Sequence, residues 1–474
     1  MNRDLTSGNP LKRILAFCMP LLVGNLFQQL YAVVDSIIVG KYLGVEPFAA
    51  IGSTGSLHGL IIGCAIGLCS GLCIPVAQNY GAGDVRALRK AEANGLYVAA
   101  IASLIISVGM GIFTRPILVL FNTPENLLDD ACAYIRTLCI GSGSLMLYNM
   151  VIGFVRALGD SKMPLFYLVL ASIFNILLDL LFVLVFKAGV AGVAYATILA
   201  QLLAAFFGIL TIRKNFPILR LTRQALKPSL PIMGKISAVA LPIGLQCSIT
   251  AVGSILLQMA INGLGPQAVA AMAVGGKVQG VILAPLDALG VAVMIYVCQN
   301  YGGRHLDRIR KGVSQLMLAS ALYAVFAIAV TWLAGGSFAR VFLSSDEVEI
   351  HALIQTHLRT SSAFFISISA IYVFRNALQG LGYSNAAMGS GFCEMFARGG
   401  VGLFLVGSSG FVGACLGSPF AWTAAGAFSA IVYFYVLRKL CKKADAEGQN
   451  DPDGDDAINR LVEAAEQEVE RASL

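Results

Sequence analysis

Two aspartates stand inside long apolar stretches of this chain: Asp35, between Leu30 and Gly40, and Asp179, between Ile176 and Val185. A carboxylate in an apolar span is costly and is by default a functional candidate. Asn175 precedes Asp179 by four residues, so on a helix the two side chains share a face. Thr197 lies in the next apolar stretch. Two carboxylates, an amide carbonyl and a hydroxyl are hard oxygen donors that suit a small cation such as Na+. The same pair suits a proton, which two closely set carboxylates can share. Oxygen chemistry alone leaves Na+ and H+ both open, and the alternative is that the aspartates only hydrogen-bond between helices.

Further along, Glu394 and Arg398 are also four residues apart and can satisfy each other as an ion pair, either structural or cavity-lining. Lys277 and Asp287 fall in one apolar stretch; they either face a substrate cavity or pair with neighbours such as Arg375 or Arg398. No resident metal or cofactor is expected. No Cys or His group has metal-ligand spacing, and cysteines such as Cys69, Cys139 and Cys298 lie in apolar stretches as small core residues. No catalytic cluster is visible at either end of the spans, so an enzyme is not expected.

Composition fixes what must position these groups. The 474 residues are 57% hydrophobic and 12% charged, with a mean hydropathy of +0.77. That pattern belongs to a polytopic membrane protein. Twelve apolar runs are long enough to cross a bilayer, near 14–40, 48–78, 92–114, 132–155, 163–186, 189–212, 234–262, 269–299, 313–334, 352–379, 386–407 and 411–437. The expected fold is therefore an all-α integral membrane protein of twelve transmembrane helices. Lysine and arginine gather at the N-terminus and in alternate loops, for example Arg86, Arg89 and Lys90, or Arg308, Arg310 and Lys311. The opposite loops hold Lys41, Arg115, Lys187 and Arg340. The positive-inside rule then places both termini in the cytoplasm of a multi-pass cell-membrane protein. The net charge of +7 needs no nucleic-acid partner, since the bilayer accounts for it.

With that orientation, depths can be compared. Asp35 lies six residues, about 9 Å, below Lys41 at the outer end of span one. Asp179 lies about 12 Å below Lys187 in span five, and Thr197 about 15 Å down span six. The three reach one level in the outer half of the membrane.

The chain also repeats itself. Gln78-Asn-Tyr-Gly returns as Gln299-Asn-Tyr-Gly, and Arg89-Lys90 as Arg310-Lys311, both at an offset of 221. The text around Leu43-Gly44 is answered from Leu264. Arg156-Ala-Leu-Gly is answered by Gln379-Gly-Leu-Gly, and Gly189-Val-Ala-Gly by Gly410-Phe-Val-Gly. Such matches in order mark a duplication. The expected organisation is an N-terminal six-helix lobe (1–215), a cytoplasmic linker (216–233), a C-terminal six-helix lobe (234–443) and an acidic tail with a short amphipathic helix (444–474). Six spans per unit give both lobes the same polarity, as in transporters that open a central cavity alternately to each side.

These paired loops, together with the run Gly189-Val-Ala-Gly-Val-Ala-Tyr-Ala-Thr and the first span from Pro20 to Gly40, resemble the multidrug and toxic compound extrusion (MATE) family, prokaryotic type, over roughly residues 10–440. The resemblance implies two lobes in a V-shaped arrangement. It also implies antiport: export of small organic cations or amphipathic drugs, driven by inward H+ or Na+ flow. Its first-lobe cation site uses an aspartate on helix one, an Asn-x-x-x-Asp pair on helix five and a threonine on helix six. Asp35, Asn175, Asp179 and Thr197 match these residue by residue. Some members place a coupling glutamate on helix seven, where this chain has Gln246 and Gln258. The protein is expected to act as a monomer. Within transport, the alternative is a lipid-linked oligosaccharide or lipid flippase of the same superfamily.

Overall fold

A computed structural model describes residues 4–120, 123–339 and 348–446, and all its regular elements are helices. Arg340 and nearly all of the expected tail, including its amphipathic helix, lie outside the described residues. The described residues divide into two compact units, one containing Val23–Gly244 and the other Leu5–Leu22 with residues 245–446.

The first unit contains most of α1 (Pro10–Tyr42), then α2 (Val45–Ser53), α3 (Gly55–Gly81), α4 (Val85–Leu120), α5 (Glu125–Ile140), α6 (Ser142–Ala157), α7 (Lys162–Leu180) and α8 (Gly189–Asn215). In the second are most of α9 (Leu230–Asn262), then α10 (Pro266–Gly302), α11 (Leu306–Ala339), α12 (Val348–Ser362), α13 (Phe365–Ala370), α14 (Asn376–Gly380), α15 (Ser384–Gly400), α16 (Val406–Cys415) and α17 (Gly417–Ala446). Among the described residues ten helices are long and apolar enough to cross a membrane. Two bent pairs, Glu125–Ile140 with Ser142–Ala157 (47°) and Glu349–Ser362 with Phe365–Gly380 (52°), bring the total to twelve if each is one span.

Each span read from the sequence has a counterpart, but four are broken; the last begins at Phe411–Cys415, just past the non-helical Gly410, and resumes as α17 after Leu416. Span two starts with α2 and resumes as α3 after Thr54, whose hydroxyl, like that of Ser53, turns back to a carbonyl of the preceding turn. Those side-chain bonds satisfy groups that a helix end leaves open. Spans four and ten are the two bent pairs.

Polarity is arranged for lipid. On α4, Leu104, Ile105, Val108 and Ile112 are more than half exposed, while Asn94 and Thr114 are fully buried. α11 repeats this with Leu318, Leu322, Val325 and Phe326 outside and Ser320 inside. A helix in hydrocarbon gains nothing by hiding leucine, so close contact falls to small residues. A Cβ on Gly153 of α6 would sit 2.4 Å from the Cys73 sulfur, and one on Gly208 of α8 would sit 2.5 Å from Val151. In the second unit, a Cβ on Gly380 would meet the Met294 carbonyl at 2.7 Å.

Backbone geometry repeats the duplication. Gly44 (φ 96°) and Gly265 (φ 97°) each start a helix, and Gly189 (φ 59°) is matched by Gly410 (φ 57°). After the two Gln-Asn-Tyr-Gly segments, Ala82, Gly83 and Asp84 donate to the carbonyls of Gln78, Tyr80 and Asn79. Gly303, Arg304 and His305 donate in the same pattern to Gln299, Tyr301 and Asn300. Short π-helical segments occur at matching places too, Leu181–Val185 after α7 and Val401–Leu405 after α15.

The connection expected as a linker is held against α4. Arg89 donates from Nε to the Ile218 carbonyl (3.1 Å) and from Nη2 to that of Pro217 (3.2 Å). Tyr97 donates to Leu226 at 2.7 Å, and the Ser229 amide to Asn94 Oδ1 at 2.9 Å.

Candidate cation-coupling site

Near the end of α1, Asp35 reaches Asp179 in the last turn of α7, and the two carboxyl groups hydrogen-bond to each other. Asp179 is fully buried and Asn175 is 2% exposed; Asp35 is half-buried. Asn175 Nδ2 donates to Thr197 Oγ1 of α8 at 3.3 Å, and Thr197 donates to the Val193 carbonyl at 3.1 Å. Four residues spread over 163 positions of sequence therefore meet in one region. α7 places Asn175 and Asp179 one turn apart, and α7 and α8 pack closely along their length.

The π-helical segment Leu181–Val185 begins two residues after Asp179. Such a turn widens the helix by one residue and is common at functional sites. Here it lies just beyond the turn that carries the acid.

A cavity of about 80 Å³ adjoins the site, lined by Gln28, Tyr148, Ser172, Asn175, Thr197 and Gln201 among others. That is room for a few waters. Asn175 and Thr197 link this cavity to the acidic pair, although neither aspartate lines it.

Sequence reading missed Tyr134 on α5. It is 8% exposed and lies within electrostatic range of both Asp35 and Asp179. The ring of His58 on α3 lies 6.3 Å from it, centroid to centroid. Tyr134 belongs to the bent span, and no local pattern marks it as facing the site; only the packing of α5 against α8 and α2 places it there.

In the second unit the corresponding positions are differently occupied. Glu394 and Arg398 of α15 are 4% and 7% exposed and pair at 3.3 Å. Glu394 also accepts from Arg375 at 2.7 Å. Arg398 further donates to the Thr250 carbonyl of α9 at 3.2 Å. Lys277 and Asp287 are exposed on α10. Tyr372 lies within electrostatic range of Asp287, Arg375 and Glu394.

With this geometry in place, comparison with known proteins is informative. The chain is 28% identical over 387 residues to the probable multidrug resistance protein YpnP of Bacillus subtilis, covering 80% of this chain and 84% of that one. It is 30% identical over 302 residues to the probable multidrug resistance protein YoeA of the same organism, covering 62% and 65%. Among solved structures, an outward-facing multidrug resistance MATE family transporter of the MOP superfamily superposes with a TM-score of 0.82 at 23% identity, covering 92% of this chain and 98% of that one. A MATE transporter in complex with MaL6 gives 0.85 at 22%, covering 93% and 99%. The MatE family model matches residues 20–181 and again 242–399, each match beginning at a proline inside a long helix, Pro20 of α1 and Pro242 of α9. A model that recognises the first half and then the second, in a chain of membrane helices, leaves one assignment: this protein is a transporter of the multidrug and toxic compound extrusion (MATE) family.

Proposed function

We propose that the protein is a secondary antiporter that exports small amphipathic or cationic compounds by alternating access, with inward H+ or Na+ flow coupled at Asp35, Asn175, Asp179 and Thr197. The observation that carries the reading is the meeting of the Asp35 and Asp179 carboxyl groups beside the Asn175–Thr197 hydrogen bond at 3.3 Å. Two acids so close hold one negative charge more comfortably than two. An incoming proton or Na+ relieves that repulsion; its departure restores it. The charge state of the pair is thereby tied to the packing of α1 on α7, which is what coupling requires.

Relatives named as multidrug resistance or multidrug export proteins, including MepA of Staphylococcus aureus, support drug-like cargo over a lipid-linked oligosaccharide. We place the protein in the cell membrane as a monomer; the lysine and arginine distribution supports cytoplasmic termini.

Efflux of a cationic dye from proteoliposomes, with H+ and Na+ gradients imposed separately, tests the reading. Asp179→Asn should insert normally yet show no gradient-driven efflux. Undiminished efflux by that variant would refute the assignment, and the gradient that drives the wild type names the ion.

A further inference from the structure

In the α15 cluster of the second unit one carboxylate, that of Glu394, is shared by two guanidinium groups, Arg375 at 2.7 Å and Arg398 at 3.3 Å. Arg398 makes a second bond, to the Thr250 carbonyl. Arg375 is different. Among the described residues its one hydrogen bond goes to Glu394, and its side chain keeps 16% of its surface accessible against 9% for Arg398 and 5% for Glu394. Among those residues Glu394 therefore takes up one of the guanidinium's five N–H donors, and the fork keeps donors to spare in the middle of a span.

An arginine inside a span is expensive and faces either a partner or a water-filled cavity. The surroundings are also polar: Gln379 Nε2 donates to Gln246 Oε1 at 3.5 Å, Gln246 Nε2 donates to Thr250 Oγ1 at 3.4 Å, and Asn376 follows Arg375 directly. Arg375 closes the π-helical segment Ile371–Arg375, and another π-helical segment begins three residues after Arg398. π turns on both helices at the same cluster mark a place where regular packing has yielded to something else.

We propose that Arg375 is the contact residue of a binding site in the second unit for an anionic group, a carboxylate or phosphate, carried by an amphipathic molecule. Glu394 and Arg398 are its positioning residues. A planar guanidinium held on one edge by Glu394 leaves its other edge free for the two-point hydrogen bonding that carboxylate and phosphate accept. Asp287, within range of the same Tyr372, moderates the local potential. The site thus favours groups that can dock on the fork over anions in general. This site is separate from the acidic pair of the first unit and widens the cargo beyond cations.

The test uses the full chain in nanodiscs of phosphatidylcholine, without any ion gradient, and measures fluorescence anisotropy with carboxyfluorescein as the anionic probe and rhodamine 6G as the cationic one. Wild type should bind carboxyfluorescein saturably. Arg375→Gln should weaken it by about tenfold or more, the worth of a charged two-point bond, with rhodamine 6G unchanged. Arg375→Lys should retain part of the binding. Glu394→Gln, which removes the competing internal carboxylate, should tighten carboxyfluorescein; a purely structural role for the cluster predicts no gain. Asp179→Asn should leave this binding intact, separating the site from coupling. Repeating the titration in phosphatidylglycerol nanodiscs, at about 0.5 M salt to screen the surface, identifies the source: competition assigns the site to a lipid headgroup, and none assigns it to a soluble anion. Absence of saturable carboxyfluorescein binding by wild type overturns the proposal. So does equal loss of both dyes in a folded Arg375→Gln protein, or no gain in Glu394→Gln.

Discussion

The ends of α7 and α15 occupy matching places in the two halves of a duplicated chain, yet they carry opposite solutions to burying charge. α7 brings Asn175 and Asp179 against Asp35, so two carboxyl groups meet and hydrogen-bond to each other. α15 brings Glu394 and Arg398, four residues apart as are Asn175 and Asp179, and the charges are met inside the protein by Arg375 and Arg398. The backbone kept its shape, down to a π-helical segment just beyond each pair. Duplication conserved the mechanics and released the chemistry.

The comparison is broken most completely at Asp179. Asp179→Asn removes one of the two acids without changing the side chain's size, and gradient-driven dye efflux should fall to the leak of empty vesicles. Glu394→Gln in the same assay should keep substantial coupled efflux of a cationic dye. If the two variants were equally dead, the halves would be equal partners in coupling, and the asymmetry would fail.

Stability should show the reverse order. Glu394→Ala leaves Arg398, 7% exposed, without its carboxylate and costs roughly 3 kcal/mol, the penalty of a buried charge stripped of its partner. Asp35→Asn should leave thermal unfolding in detergent close to that of wild type, because removing one of two repelling acids relieves as much as it disturbs. Unfolding midpoints followed by a thiol-reactive dye, which the buried cysteines suit, check both.

A smaller effect belongs to Thr197. Its hydroxyl accepts from Asn175 and contributes one oxygen to the site, so Thr197→Val should weaken activation by the driving ion by about tenfold, the worth of one good polar contact. Maximal efflux should be little changed. Activation curves against Na+ or H+ concentration separate a shift in midpoint from a loss of amplitude.

How much of this could be read from the sequence depends on the range of the interaction. The span pattern, the duplication and the candidate set Asp35, Asn175, Asp179 and Thr197 could be read because hydropathy, repeated text and i,i+4 spacing are local signals. Helix breaks at Thr54, Gly141 and Ala363–Phe364 could not, since each falls at or beside a run of small polar residues and glycine (Gly52-Ser-Thr-Gly-Ser56, Gly141-Ser-Gly-Ser144, Thr360-Ser-Ser362) too short to interrupt a window of hydropathy. Arg375 is 19 residues before Glu394 in sequence, and nothing local to either predicts their pairing. Tyr134 is hidden for the same reason. Both emerge only when bent spans bring distant turns together.

The finest contrast between the halves is a single residue of loop. Gly83 (φ 81°) and Arg304 (φ 62°) hold the same position after the Gln-Asn-Tyr-Gly segments, in the left-handed region, and make the same amide bond three residues back, to Tyr80 and Tyr301. Glycine adopts that conformation without a Cβ clash, whereas arginine is strained there. Arg304→Gly should therefore stabilise the protein by up to about 1 kcal/mol, less the entropy that glycine restores to the unfolded chain, and Gly83→Ala should destabilise it by a similar amount. A shift of the unfolding midpoint upward for the first and downward for the second would show that both turns still obey the geometry they inherited. Should Arg304→Gly instead lower the midpoint, the guanidinium contributes more than the strain costs, and the second half will have put a loop residue as well as its buried charges to a new use.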